Sequence, residues 1–120
     1  MTPEQQRKML EAAAKACGLR KNDSPYNGGG EGNTGFDLLG NLVLDWDDAE
    51  VWNPLTNPAD TAEMCTKLEI DTAWFEDKVL CAPFGSYKSW AEFKDHDNSR
   101  LKAWMYAATM YAAKIGGYKE

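Results

Sequence analysis

Four groups of side chains in this 120-residue chain are of types that do chemistry: a glycine run, a carboxylate cluster, a single histidine and three cysteines. Gly30, Gly32 and Gly35 stand at the spacing of a dinucleotide-binding loop. Such a loop cradles a pyrophosphate when a strand precedes the glycines and a helix follows. Here a helical pattern precedes and a strand-like one follows, so the run reads as a linker, with a backbone anion nest as the alternative. Asp45, Asp47, Asp48 and Glu50 offer oxygen ligands for Ca²⁺ or Mg²⁺, but the turn glycine and terminal bidentate glutamate of an EF-hand loop are missing. His96 lies in Lys94-Asp95-His96-Asp97, where flanking carboxylates are expected to raise its pKa and make it a poor proton acceptor. Cys17, Cys65 and Cys81 have no metal-ligand spacing and read as reduced, buried thiols of a cytoplasmic protein. No nucleophile–base pair follows from spacing. The expectation is a protein that is not an enzyme and holds no cofactor or metal.

What remains is recognition. The chain carries five Trp, five Tyr and four Phe, several beside acidic loops. Asp45, Trp46, Asp47, Asp48, Glu50 and Trp52 form an acidic, aromatic candidate surface for a partner protein. If the loops meet at one end of the fold, Tyr26, Trp52, Tyr87, Trp90 and Arg100 make an aromatic pocket able to stack a base or seat an Arg or Lys. The alternative is that these rings simply cover the ends of a sheet.

Charge sharpens the choice of partner. The net charge of −6 is segmental: residues 1–22 carry +3, residues 23–77 carry −12 with Lys67 as their one cation, and residues 78–120 carry +3. A negative field over the middle of the chain repels nucleic acid and attracts basic protein surfaces; an acidic face kept for solubility is the plainer reading. The N-terminal MTPEQQRKML has no apolar signal core, and no apolar run approaches the ~18 residues of a membrane span. Secretion and membrane insertion are not expected.

The elements that position these residues are organised around residues 51–68, VWNPLTNPADTAEMCTKL. Asn57 caps a helix, Pro58 takes its first position and Asp60 its first turn, so a helix is expected over 58–68 with Thr61, Met64, Cys65 and Leu68 on its apolar stripe. Pro54 forces Asn53 to be extended, which lets Trp52 cap the buried end of that helix. Upstream, Thr2-Pro3-Glu4-Gln5 is a capping box for a helix over 3–17, with Met9, Leu10, Ala13, Ala14 and Cys17 inward. A glycine-rich loop over 20–35 leads to a hairpin over 36–44, turned at Gly40-Asn41. The alternation over 69–82 predicts a second hairpin turned at Glu76-Asp77. Tyr87, Trp90 and Phe93, three apart, read as a helical or irregular aromatic cover within 83–97. A last helix is expected over 98–115, with Leu101, Trp104, Met105, Ala108, Ala112 and Ile115 on one face and Ala103, Tyr106, Ala107, Met110 and Tyr111 on a second.

A helix apolar on both faces in a chain this small predicts a homodimer through Tyr106, Met110 and Tyr111. The expected fold is α+β, a single domain of order α-ββ-α-ββ-α: an antiparallel sheet of about four strands with three helices packed on it.

In their order, Trp52, Asn53, Pro54, Ala59, Ala62, Leu68, Ile70 and the closing run Ala107, Ala108, Ala112, Ala113, Ile115, Gly116 resemble the phage ABA sandwich domain, a family of small bacteriophage and prophage proteins. The likeness spans about residues 45–118 and implies a layered sandwich without known catalytic residues. Together with the charge it leads to the expectation of a cytoplasmic phage accessory protein that occludes the basic site of a host defence protein. Two alternatives are a sponge that sequesters a nucleotide or signalling small molecule, with Lys88, Lys94, Arg100 and Lys102 as a positive patch, and a structural or assembly protein.

Overall fold

The computed structural model describes residues 2–18, 42–45, 50–81 and 89–119, with 43–45 and 50 described by their backbone. The glycine loop, the first strand of the 36–44 hairpin and Tyr87 lie outside these residues. Helix α1, Pro3–Ala16, starts at the capping box read from the sequence: Gln5 N–H donates to Thr2 Oγ1 at 3.1 Å and Thr2 N–H to Gln5 Oε1 at 2.8 Å. Helix α2, Pro58–Leu68, starts where Ala59 N–H donates to Asn57 Oδ1 at 3.0 Å, and it stops at Glu69 in the left-handed conformation, φ 55°.

The turn before α2 is tied to the helix more tightly than capping alone requires. Asn53 N–H donates to the Asp60 carboxylate at 2.9 Å, and Leu55 N–H to the Asn53 side chain at 3.0 Å. The buried Thr61 hydroxyl donates to the Pro54 carbonyl at 2.6 Å. These bonds fix the chain just after Trp52, which is 4% exposed and belongs to the core.

The strands depart from a single four-stranded sheet. Strands β1, Leu42–Asp45, and β2, Glu50–Trp52, form an antiparallel ribbon with Leu42 opposite Trp52 and Asp45 opposite Glu50, and a register irregularity between Val43 and Asp45. Leu42 thus pairs forward, and Asp45 and Glu50, expected in a loop, are strand ends. A separate antiparallel sheet has the order β3-β4-β5, with β3 Thr72–Trp74, β4 Lys78–Cys81 and β5 Ser89–Glu92. The 69–82 hairpin therefore forms over Thr72–Cys81, while the described part of the expected aromatic cover is a strand followed by a short 3-10 helix, Phe93–His96. The inward and outward alternation of Ser89, Trp90, Ala91 and Glu92 is that of a half-buried strand.

Helix α3, Arg100–Ile115, is capped by Ser99, whose Oγ accepts from Lys102 N–H at 3.1 Å. It packs most extensively on α1, then on β4 and β5, and also on α2. Every residue from Ala107 to Ala113 is buried, so the middle of both apolar faces is covered within one chain. Two expectations fall with this. Met110 and Tyr111 are each 3% exposed and cannot form a dimer interface. Leu101 and Ile115, placed on the inner face by periodicity, are among the exposed apolar residues. Among the described residues no helix is long and apolar enough to cross a membrane.

A Cβ built on Gly116 would overlap the Ala12 carbonyl oxygen and lie 2.7 Å from its carbon, so the crossing of α1 and α3 has room for hydrogen alone. Gly116→Ala is expected to destabilise the protein by about 1–3 kcal/mol, read as a lower midpoint in denaturant at unchanged slope. Thr61→Val keeps the volume but leaves the Pro54 carbonyl without its donor, and urea denaturation should show a loss of about 1–3 kcal/mol.

Candidate functional site

The cavity of interest, about 620 Å³, is lined by Gln6, Leu55, Trp90, Ala91, Glu92, Asp95, His96, Lys102 and Tyr106. Five parts of the chain meet there: α1, the turn after β2, strand β5, the 3-10 helix and α3. Strand β5 is held through Ser89 and Ala91, buried side chains small enough to let the strand approach α3, while Trp90 is turned outward and is 59% exposed. The 3-10 helix ends in two successive left-handed residues, Asp97 at φ 57° and Asn98 at φ 55°, residue types that adopt this conformation at low cost. That reversal starts α3 beside the 3-10 helix and brings His96 against Tyr106, their ring centroids 4.8 Å apart.

The electrostatics of the cavity are negative. Glu92 and Asp95 contribute carboxylates, and Lys102 is the lining cation, but its ammonium group is 2.8 Å from the Asp97 carboxylate. Glu92 pairs with Lys94 at 3.2 Å. Both pairs are exposed and of the kind worth little net energy, so water and ligands compete for them. His96 is corrected in sign: burial of the imidazole outweighs the raising effect of Asp95 and Asp97 and lowers its pKa below the ordinary 6.5. It is the neutral form that faces the cavity at pH 7.

Other chemistry is quiet. Burial pushes the Cys17 and Cys65 thiols up to about 11 and the Cys81 thiol to about 12, away from the thiolate that a nucleophile or metal ligand must be. Thr109 Oγ1 donates to the Met105 carbonyl at 2.6 Å and Trp104 Nε1–H to Thr72 Oγ1 at 3.1 Å. Among the described residues no buried side-chain polar atom lacks a partner, so none points unmatched at a missing ligand.

Of the pocket expected from sequence, Trp90 alone lines this cavity. Trp52 is in the core, and the Arg100 guanidinium lies 5.0 Å from the centre of the Phe93 ring, outside the cavity lining. Tyr26 and Tyr87 lie outside the described residues. Of the expected partner surface, the backbones of Asp45 and Glu50 are paired across the β1–β2 ribbon, Trp46, Asp47 and Asp48 lie outside the described residues, and Trp52 is buried in the core. Tyr106, expected at a dimer interface, forms part of the cavity instead. Gln6, Leu55, Glu92, Asp95, His96 and Lys102 were not legible as a group, since they are brought together only by the fold.

As the chain's one histidine, His96 gives a single imidazole resonance to follow. It is expected to titrate below 6.5 by NMR, and stability should fall as pH drops from 6.5 through that lower value, because the unfolded chain there binds a proton the folded one resists. His96→Gln should remove this part of the acid limb. No family model, curated protein or solved structure matches this chain.

Proposed function

We propose that the protein is a non-enzymatic binding module whose cavity beside β5 seats a basic side chain of a partner protein. The observation that carries this reading is the placement of the outward-facing Trp90 next to the Glu92 and Asp95 carboxylates at one concave site. An exposed large aromatic beside a cavity is a recognition feature, where a scattered surface leucine is not. A guanidinium or ammonium over the indole face gains about 0.5–1 kcal/mol at an exposed site, and the carboxylates add an attraction that salt screens. Lys102, held by Asp97, does little to offset it.

The acidic middle of the chain extends the same preference: Asp45, Asp47, Asp48 and Glu50, with Trp46 among them in sequence, are the second acidic segment we assign to the partner. With the likeness to the phage domain, the setting we propose is the cytoplasm of an infected bacterium, where the protein occludes a basic site on a host defence protein. A second reading rests on the cavity's size, which falls in the roughly 300–1,000 Å³ range of small-molecule sites. Trp90 and Tyr106 then bracket a flat ligand, neutral or cationic because the carboxylate rim disfavours phosphate.

Calorimetric titration with an arginine-rich peptide separates these. Binding is expected to weaken steadily with added salt, to fall about tenfold in the Glu92→Gln/Asp95→Asn double variant and several-fold in Trp90→Ala, with circular dichroism unchanged. Equal affinity in all three proteins would sink the basic-partner reading.

A further inference from the structure

We infer that the partner is bound as an added strand: an extended, basic segment of another protein pairs with the edge of β5 that faces away from β4. This rests on the reading above and specifies how the partner is held. Trp90, Ala91 and Glu92 all line the cavity. Consecutive strand residues point to opposite faces, so a cavity touched by all three lies alongside the strand, not over one face of the sheet.

The phase of the ladder shows which backbone groups look into it. Phe93 N–H donates to the Asp77 carbonyl at 2.9 Å, in the register that places Glu92 opposite Lys78 and Trp90 opposite Leu80. Bonded and non-bonded pairs alternate along antiparallel strands. Ala91 and Ser89 therefore bond to β4, while the N–H and C=O groups of Trp90 and Glu92 turn away from it. The other side of β4 agrees. Phe75 N–H donates to the Lys78 carbonyl at 2.8 Å, which directs the backbone of Lys78 and Leu80 towards β3 and leaves Val79 and Cys81 for β5. Among the described residues, β5 has a strand neighbour on one side only and no further backbone partner at Trp90 or Glu92.

The chemistry of the rim selects the occupant. On one side of an added strand the side chains meet Trp90 and Glu92; on the other they meet Ala91, His96 and Tyr106. An alternation of basic and apolar residues satisfies both, with Asp95 beside the basic set. A second copy of β5 carries Trp90 and Glu92 on the same side, and so offers the rim another indole and another carboxylate in place of a cation.

The test uses the full chain and a hexapeptide of alternating arginine and valine, titrated by calorimetry beside three relatives: one N-methylated at every arginine, one at every valine, and one with serine replacing arginine. Edge pairing predicts that one of the two methylated peptides, whose blocked amides face β5, binds at least about tenfold more weakly, the equivalent of one or two lost hydrogen bonds. Hydrogen exchange at the Trp90 and Glu92 amides should also slow in the complex. If both methylated peptides bind as tightly as the parent, the added strand is overturned while the basic site stands. If the serine peptide matches the arginine one, the basic-partner reading fails and the methylated pair still judges the strand. Binding by none of the four overturns both.

Discussion

The close crossing of α1 and α3 is the constraint on which the rest of the structure depends. Gly116 lies against the Ala12 carbonyl with no room for a methyl group, and the contact is lined by small buried side chains such as Ala13, Ala107 and Ala108. Small residues let two helices approach until backbone meets side chain along much of their length, and the dispersion gained is collective. One side of α3 is thereby committed, so its opposite side must bury itself on the sheet. It does so through β4 and β5, where Val79 and Cys81 fill the larger gap and Ser89 and Ala91 the smaller one. With Ser89 and Ala91 inward, strand alternation turns Trp90 and Glu92 out. The proposed recognition site is in this sense set by alanines and a glycine well away from it.

Burial decides the chemical character of the molecule as well as its shape. At His96, removal of the imidazole from water outweighs two flanking carboxylates, so a residue whose sequence neighbours favour the cation is held towards the neutral form. The same effect keeps three thiols protonated. Two rim carboxylates, one of them paired with Lys94, together with an exposed indole and a neutral imidazole, suit the recognition of cationic or flat groups that we propose.

What the sequence made legible was chemistry acting over a few residues. The starts of α1 and α2 lie where Thr2, Gln5, Asn57 and Pro58 place them, because caps are satisfied within one turn. The 69–82 hairpin was readable for the same reason, its turn being local. Strand β5 was not. Tyr87, Trp90 and Phe93 recur every third residue and imitate a helix face, while the small size of Ser89 and Ala91 has meaning only once α3 lies beneath them. The pairing of Leu42 with Trp52 and the separation of the strands into two sheets are likewise non-local. The double apolar stripe of α3 was visible, but its cause was misassigned to a second protomer because the depth of the α1 contact depends on Gly116. The candidate site fared worst: its residues are spread from Gln6 to Tyr106, and Trp90 was the one member placed in the expected pocket, while His96, Lys102 and Tyr106 were singled out for other roles.

A strand edge that no other described strand covers, beside an exposed tryptophan, carries a hazard of its own, since such an edge is a template for association with any extended chain. In the proposed complex the same feature that selects the partner also limits the hazard. Strand β5 is four residues long, ends in a 3-10 helix, and has Glu92 and Asp95 at its margin. For a copy of itself those carboxylates are repulsive; for a basic chain they are attractive. Discrimination by a repulsive element against the wrong partner is as effective as added contacts with the right one, and two carboxylates perform both tasks. Neutralising them would then weaken binding to a basic chain and, at the same time, relieve the repulsion that keeps two copies of β5 apart. Weaker binding accompanied by greater self-association is a signature that a purely structural role for Glu92 and Asp95 does not produce.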